Sequence, residues 1–264
     1  MRRRRRIAAA VIGVAAALAA VLIVDDPRGT PGAPAADREG TALLPEPVEP
    51  AFKPKLRPVD FTTPVNRWAA VVRAVDARRS PGGNEIIARL ATTTPEGTAN
   101  IVLLQPGVET VRGRLWVRVR LPVLPNNTTG WVPRDALGGY GEARTRLVVD
   151  RRLLTATLLR DGRELFRAPI GVGEPQWPTP AGEFYVRNKL TTFADPFYGP
   201  VAFGTSARSA VLTDWPAGGF IGIHGTNRPD LLPGRVSHGC IRMANEDILR
   251  LARLMPVGTP ITIR

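Results

Sequence analysis

The chain of 264 residues holds one cysteine and two histidines. A single thiol excludes an intrachain disulfide, and a hydrophobic content of 44% supplies a packed core without one. No Cys-x-x-Cys or His-x-x-x-His pair occurs, which removes the usual spacings of zinc ligands. Aromatic residues are scarce, at 6%, and no basic stripe is interleaved with them. The formal net charge of +13 therefore does not mark a nucleic-acid-binding face. No internal repeat is present.

Five of the positive charges are the run Arg2–Arg6, and the rest are spread along the chain. They predict a solvated basic surface, or one attracted to an anionic polymer such as a cell wall. The arginine run precedes an uncharged apolar stretch, Ile7 to Val24, closed by Asp25, Asp26 and Pro27. As a helix rising about 1.5 Å per residue, the stretch would reach about 27 Å, close to the hydrocarbon thickness of a bilayer. Residues 1–24 therefore read as a signal anchor that keeps its arginines in the cytoplasm and exports the remainder. A cleavable signal peptide is the competing reading, with Ala17-Leu18-Ala19 as the cleavage-like site. No cysteine follows the apolar run, which excludes a lipoprotein anchor.

Residues 25–64 are rich in proline and lack any hydrophobic period, so they read as an extended spacer. Between 65 and 140, short apolar runs alternate with Gly, Pro, Asn and Thr clusters. In Leu115–Leu121, the residues Leu115, Val117, Val119 and Leu121 share one face, as in a strand. Strands at this spacing predict a small β-barrel. The Asn126–Thr129 run reads as a polar turn.

From about residue 145 a second β-rich region is predicted. Leu153–Leu159 reads as a strand with Leu154, Ala156 and Leu158 on one face, and Asp161-Gly162 as a hairpin turn. A helix is expected from Asn245 to about Met255, stopped by Pro256, with a final strand at Ile261–Ile263.

The chemistry concentrates between His224 and Arg242. His224 is followed, beyond a Pro- and Gly-containing loop, by Ser237-His238-Gly239-Cys240-Ile241-Arg242. An unperturbed thiol is mostly protonated near neutral pH, and a histidine is the natural base to activate it. If Val236–Arg242 is extended, His238, Cys240 and Arg242 share a face. His224 shares its own strand face with Gly222, which has no side chain to block a substrate. Three ligand-type residues, His224, His238 and Cys240, leave zinc as the chemical competitor, at an unusual spacing.

This segment resembles the active-site signature of the L,D-transpeptidases, the YkuD-type family that cross-links peptidoglycan. A companion stretch, Thr179-Pro180-Ala181-Gly182-Glu183-Phe184, resembles the family's Thr-Pro-x-Gly-x-Phe segment. Leu115-Trp116-Val117-Arg118-Val119, a turn, and Gly130-Trp131-Val132 resemble the end of bacterial SH3-like domains. The resemblance implies a mainly β chain: an SH3-like barrel at 65–140, then a β-sandwich-like catalytic domain at 145–264 with a short C-terminal helix.

It further implies Cys240 as nucleophile and His224 as base, with the Gly225 carbonyl orienting the imidazole. His238 and the backbone N–H groups near Gly239 and Cys240 are implied as oxyanion donors. Arg242, together with Ser237, is expected to contact substrate, although Arg242 fits a structural salt bridge equally well. Tyr198, Trp177 and Trp215 are candidates to line the cleft, with core packing the favoured reading. The implied substrates are peptidoglycan stem peptides joined by 3→3 cross-links, with carbapenem-type β-lactams as inhibitors and no cofactor. An L,D-carboxypeptidase using the same site, and a non-catalytic wall-binding protein, are the alternatives.

Overall fold

In the computed structural model, residues 65–191, 196–213 and 219–264 are described, and the anchor and spacer expected at 1–64 lie outside them. Among the described residues, no helix is long and apolar enough to cross a membrane.

Period-two apolar patterning builds two sheets. The first contains β1 (Asn66–Val71), β2 (Val75–Arg78), β3 (Ile86–Leu90), β4 (Ile101–Val111), β5 (Arg114–Arg120), β6 (Thr129–Pro133) and β7 (Leu137–Ala143). Its order is β3-β2-β6-β5-β4-β1-β7. Val117, Val119 and Leu121 are buried on one face, as their alternation requires. They pack with Ala69, Val102 and Val132 in the core of this sheet.

The second sheet contains β8 (Thr145–Asp150), β9 (Thr155–Arg160), β10 (Arg163–Pro169), β11 (Gly171–Gly173), β12 (Gly182–Leu190) and β13 (Ala202–Arg208). β14 (Phe220–His224), β15 (Gly234–Ser237), β16 (Ile241–Arg242) and β17 (Pro260–Ile263) complete it. The order is β10-β9-β8-β17-β12-β13-β14-β16-β11-β15. Helix α1 (Asn245–Leu254) lays Ile248 and Leu251 into the core of this sheet, with Glu246 and Asp247 in its first turn. Acidic side chains there complement the partial positive charge of the helix N-terminus.

Two local expectations meet different outcomes. Asp161 and Gly162, at φ 49° and 79°, make the hairpin turn between β9 and β10. The strand before them starts only at Thr155, because Leu154, at φ 52°, belongs to the preceding turn.

A small apolar cluster and several polar links join the sheets. Tyr185 on β12 is fully buried beside Ile101 and Leu103 of β4, and its hydroxyl donates to the Ile101 carbonyl at 3.0 Å. That partner satisfies the one polar atom that burial would otherwise strand. Asn127 Oδ1 accepts the Glu183 N–H at 2.7 Å, so part of the expected polar turn is a docking element.

Candidate active site

Phe220, Gly222 and His224 alternate onto one face of β14. β16 runs parallel beside it, with Ile223 opposite Ile241 and His224 opposite Arg242. The expected single extended run from Val236 to Arg242 is not what forms. β15 ends at Ser237, and β11 pairs parallel with β15 but antiparallel with β16. The chain therefore reverses through His238, Gly239 and Cys240. Gly239 sits at φ 115°, and a Cβ there would press on Ile221 Cδ1 at 3.0 Å. Only glycine makes this turn without strain.

Side-chain hydroxyls fix the turn from inside. Ser237 Oγ donates to the Cys240 carbonyl at 2.6 Å and accepts the Gly239 N–H at 3.1 Å. Thr179, from the companion motif, donates to the Gly239 carbonyl at 2.7 Å and accepts the Gly173 N–H at 2.9 Å. Both hydroxyl residues are buried. Ser237, expected to contact substrate, spends its hydroxyl within the turn, and the Gly239 amide, an expected oxyanion donor, is spent on Ser237.

The turn carries Cys240 up against β14. The Gly222 N–H donates to Cys240 Sγ at 3.4 Å. A Cβ on Gly222 would stand 3.8 Å from both Sγ and Cδ2 of His224, so the thiol and the Cδ2–Nε2 edge of the ring face one small space. His224 is buried, and its Nδ1 lies 2.6 Å from the Gly225 carbonyl. A carbonyl only accepts, so Nδ1 carries the proton and Nε2 is left with its lone pair. Burial, with Arg242 nearby, drives the imidazole pKa down to about 4 against the opposing pull of the Gly225 hydrogen bond. Burial pushes the Cys240 thiol up, although the Gly222 N–H and Arg242 work against it. Both groups are therefore neutral in the resting site near pH 7.

These residues line a pocket of about 140 Å³ together with Phe197, Tyr198, Phe220, His238 and Arg242. Arg242 is buried, with its guanidinium carbon 4.5 Å from the Phe197 ring centroid and its Nε unpartnered among the described residues. Of the aromatics weighed between cleft and core, Tyr198 lines this pocket and Trp177 lies beside it. The Tyr198 ring meets His224 edge-on at 4.9 Å, and Trp177 stacks on exposed His238 at 4.1 Å. Neither segment has a periodic pattern that would have marked its aromatic as a neighbour of the site. Trp215 lies outside the described residues. Among the described residues, no group of three or more His, Cys, Asp or Glu converges on a metal position.

A thiol and a neutral imidazole sharing one pocket on a mainly β scaffold form an arrangement suited to nucleophilic acyl transfer. Sequence comparison then names the group. The model of the YkuD family, the L,D-transpeptidase catalytic domain, matches residues 144–263. The YkuD L,D-transpeptidase of Bacillus subtilis strain 168 is 38% identical over 109 residues, 41% of this chain and 59% of that protein. The YqjB L,D-transpeptidase of the same strain is 30% identical over 125 residues, 44% of this chain and 69% of that protein. L,D-transpeptidase 1 of Mycobacterium tuberculosis H37Rv is 26% identical over 221 residues, 78% of this chain and 76% of that protein. The chain thus spans about three fifths of the length of Bacillus subtilis YkuD. It belongs to the L,D-transpeptidase family.

Proposed function

We propose that the protein cross-links peptidoglycan stem peptides 3→3 through a thioester on Cys240. The observation that carries this reading is the shared space between Cys240 Sγ and the Nε2 edge of His224, whose other nitrogen is tied to Gly225. Cys240 Sγ attacks a donor-stem carbonyl while its proton passes to His224 Nε2. The carbonyl oxygen becomes an oxyanion, stabilised by the Cys240 N–H and His238. One such donor is worth about 10²–10³ in rate. As the C–N bond breaks, His224 returns the proton to the departing amine, D-alanine, and the thioester remains. An amine of a neighbouring stem then attacks the thioester, its proton passes to His224, and the Cys240 thiol is regenerated.

Arg242 binds a donor carboxylate in this scheme. A buried guanidinium with an unpartnered Nε beside the pocket supports that role over a structural salt bridge. Carbapenem-type β-lactams, whose strained carbonyl offers the same target, acylate Cys240. The paired tryptophan-bearing strands β5 and β6 support reading residues 65–140 as an SH3-like domain ahead of a catalytic domain at 145–264. Residues 7–24 serve as its anchor on the outer face of the cytoplasmic membrane.

The test incubates the full chain and Cys240→Ala with disaccharide-tetrapeptides and reads products by mass spectrometry. A cross-linked dimer present only with the parent protein is the expected result. Tripeptide alone would move the assignment to carboxypeptidase, and an absence of Cys240-dependent product would remove the enzymatic reading for these substrates.

A further inference from the structure

Two arms of the first sheet converge on Phe220, the residue two positions before Gly222 on the pocket face of β14. In one, Glu96, from the loop between β3 and β4, accepts two hydrogen bonds from Arg187 Nη2 at 2.9 and 3.1 Å. The Arg187 side chain is only 2% exposed, and its guanidinium carbon lies 3.7 Å from the Phe220 ring centroid. In the other, Asn126 grips the backbone of Arg208 at both ends. Its Nδ2 donates to the Arg208 carbonyl at 2.8 Å, and its Oδ1 accepts the Arg208 N–H at 3.0 Å. Arg208 is the register partner of Phe220, and its guanidinium carbon lies 4.9 Å from the same ring.

Phe220 thus lines the pocket with its ring backed by two guanidinium groups: Glu96 holds that of Arg187 directly, and Asn126 fixes the backbone that carries Arg208. Arg187 Nε is buried without a hydrogen-bond partner among the described residues, so Glu96 supplies the carboxylate that keeps this charge inside. Removing the carboxylate leaves a buried, uncompensated guanidinium, which lowers its energy by swinging toward water. The ring then loses its backing and the pocket wall loosens.

We propose that the first sheet sets the width of the catalytic pocket. Glu96 and Arg187 act as positioning residues, and Phe220 is the specificity-determining side chain they hold. Only the substrate arm of the test below rests on the proposed function.

Cys240 is the chain's only cysteine, so its alkylation reports pocket width without any assumption about the natural substrate. The full chain and its Glu96→Gln, Glu96→Ala, Phe220→Leu and Glu96→Ala/Phe220→Leu variants are treated with iodoacetamide and with N-benzylmaleimide. Circular dichroism confirms that each is folded. Glu96→Ala and Phe220→Leu should each raise the maleimide-to-iodoacetamide rate ratio by about fivefold, the double variant should go no further, and Glu96→Gln should fall between. With a disaccharide-tetrapeptide donor, KM should rise by about tenfold while kcat changes little. An unchanged ratio in folded Glu96 variants, or additive effects in the double variant, would overturn the proposal. If Glu96→Ala does not fold, Glu96→Gln and Phe220→Leu decide the matter. A parent protein inactive on the donor would sink the transpeptidase reading, and the alkylation ratios would still judge this one.

Discussion

The side-chain carbonyl of Asn245 accepts the Thr226 N–H at 3.0 Å, tying the first residue of α1 to the turn that follows His224. A Cβ on Gly225 would collide with that same oxygen, so the asparagine and the glycine are matched. Since the Gly225 carbonyl holds Nδ1 of His224, Asn245 acts on the imidazole through the backbone. Asn245→Ala should lower kcat by about tenfold to a hundredfold, because small errors in placing a catalytic group carry penalties of that order. Steady-state kinetics beside thermal unfolding checks this. A normal kcat in the folded variant would remove Asn245 from the positioning chain.

Thr179 is tied into the site as firmly as any residue of the cysteine motif. Thr179→Val keeps the shape and removes the hydroxyl, leaving the Gly239 carbonyl and the Gly173 N–H without their partner. A buried polar group left unsatisfied costs about 1–3 kcal/mol, so unfolding by urea should register a loss in that range. Turnover should fall as well, since the Gly239 turn presents the thiol. A variant as stable and active as the parent would mean that the turn is held by Ser237 alone.

Cys240 and His224 stand out in the sequence because their residue types are rare here and sit in a dense motif. Helix α1 and the Asp161-Gly162 hairpin were legible because each is governed by neighbours within a few positions. The reversal at Gly239 was not, since period-two reasoning carries a strand straight through unless a positive φ interrupts it. Tyr198 lines the pocket and Trp177 packs on His238 from segments without a pattern, and Asn126 and Asn127 dock a turn onto two strands more than fifty residues away. Such contacts depend on how distant segments pack, and no local rule encodes them.

Gly222 offers a test of the shared space itself. An added Cβ would meet Phe203 O at 3.6 Å and both Sγ and Cδ2 at 3.8 Å, which are ordinary contact distances. Gly222→Ala should therefore fold with stability close to the parent's. The methyl group nevertheless stands beside both reacting groups, where the donor carbonyl has to approach. Turnover should drop by about a hundredfold or more, as when reacting atoms are held out of attack range. Equal melting temperatures with normal turnover would show that the donor reaches Cys240 by another path.

The buried imidazole sets a pH signature. His224 titrates at about 4 in the folded protein, against an ordinary value of 6.5. Between these values the unfolded chain takes up a proton that the folded one refuses. Stability should therefore be full above about pH 7.5, decline as pH falls through 6.5, and level off below about pH 4. The total loss is about 3 kcal/mol from this group, by the usual conversion of a pKa difference into free energy. For the same reason, the acid limb of the pH–rate profile of kcat/KM should fall well below pH 6, because the base stays unprotonated until then. Urea unfolding of the parent protein and His224→Gln at pH 7.5, 5.5 and 4.5 isolates the contribution. The parent should lose stability relative to the variant across this series. Parallel curves would show that His224 is solvated and titrates as an ordinary histidine, and the neutral resting pair would have to be abandoned.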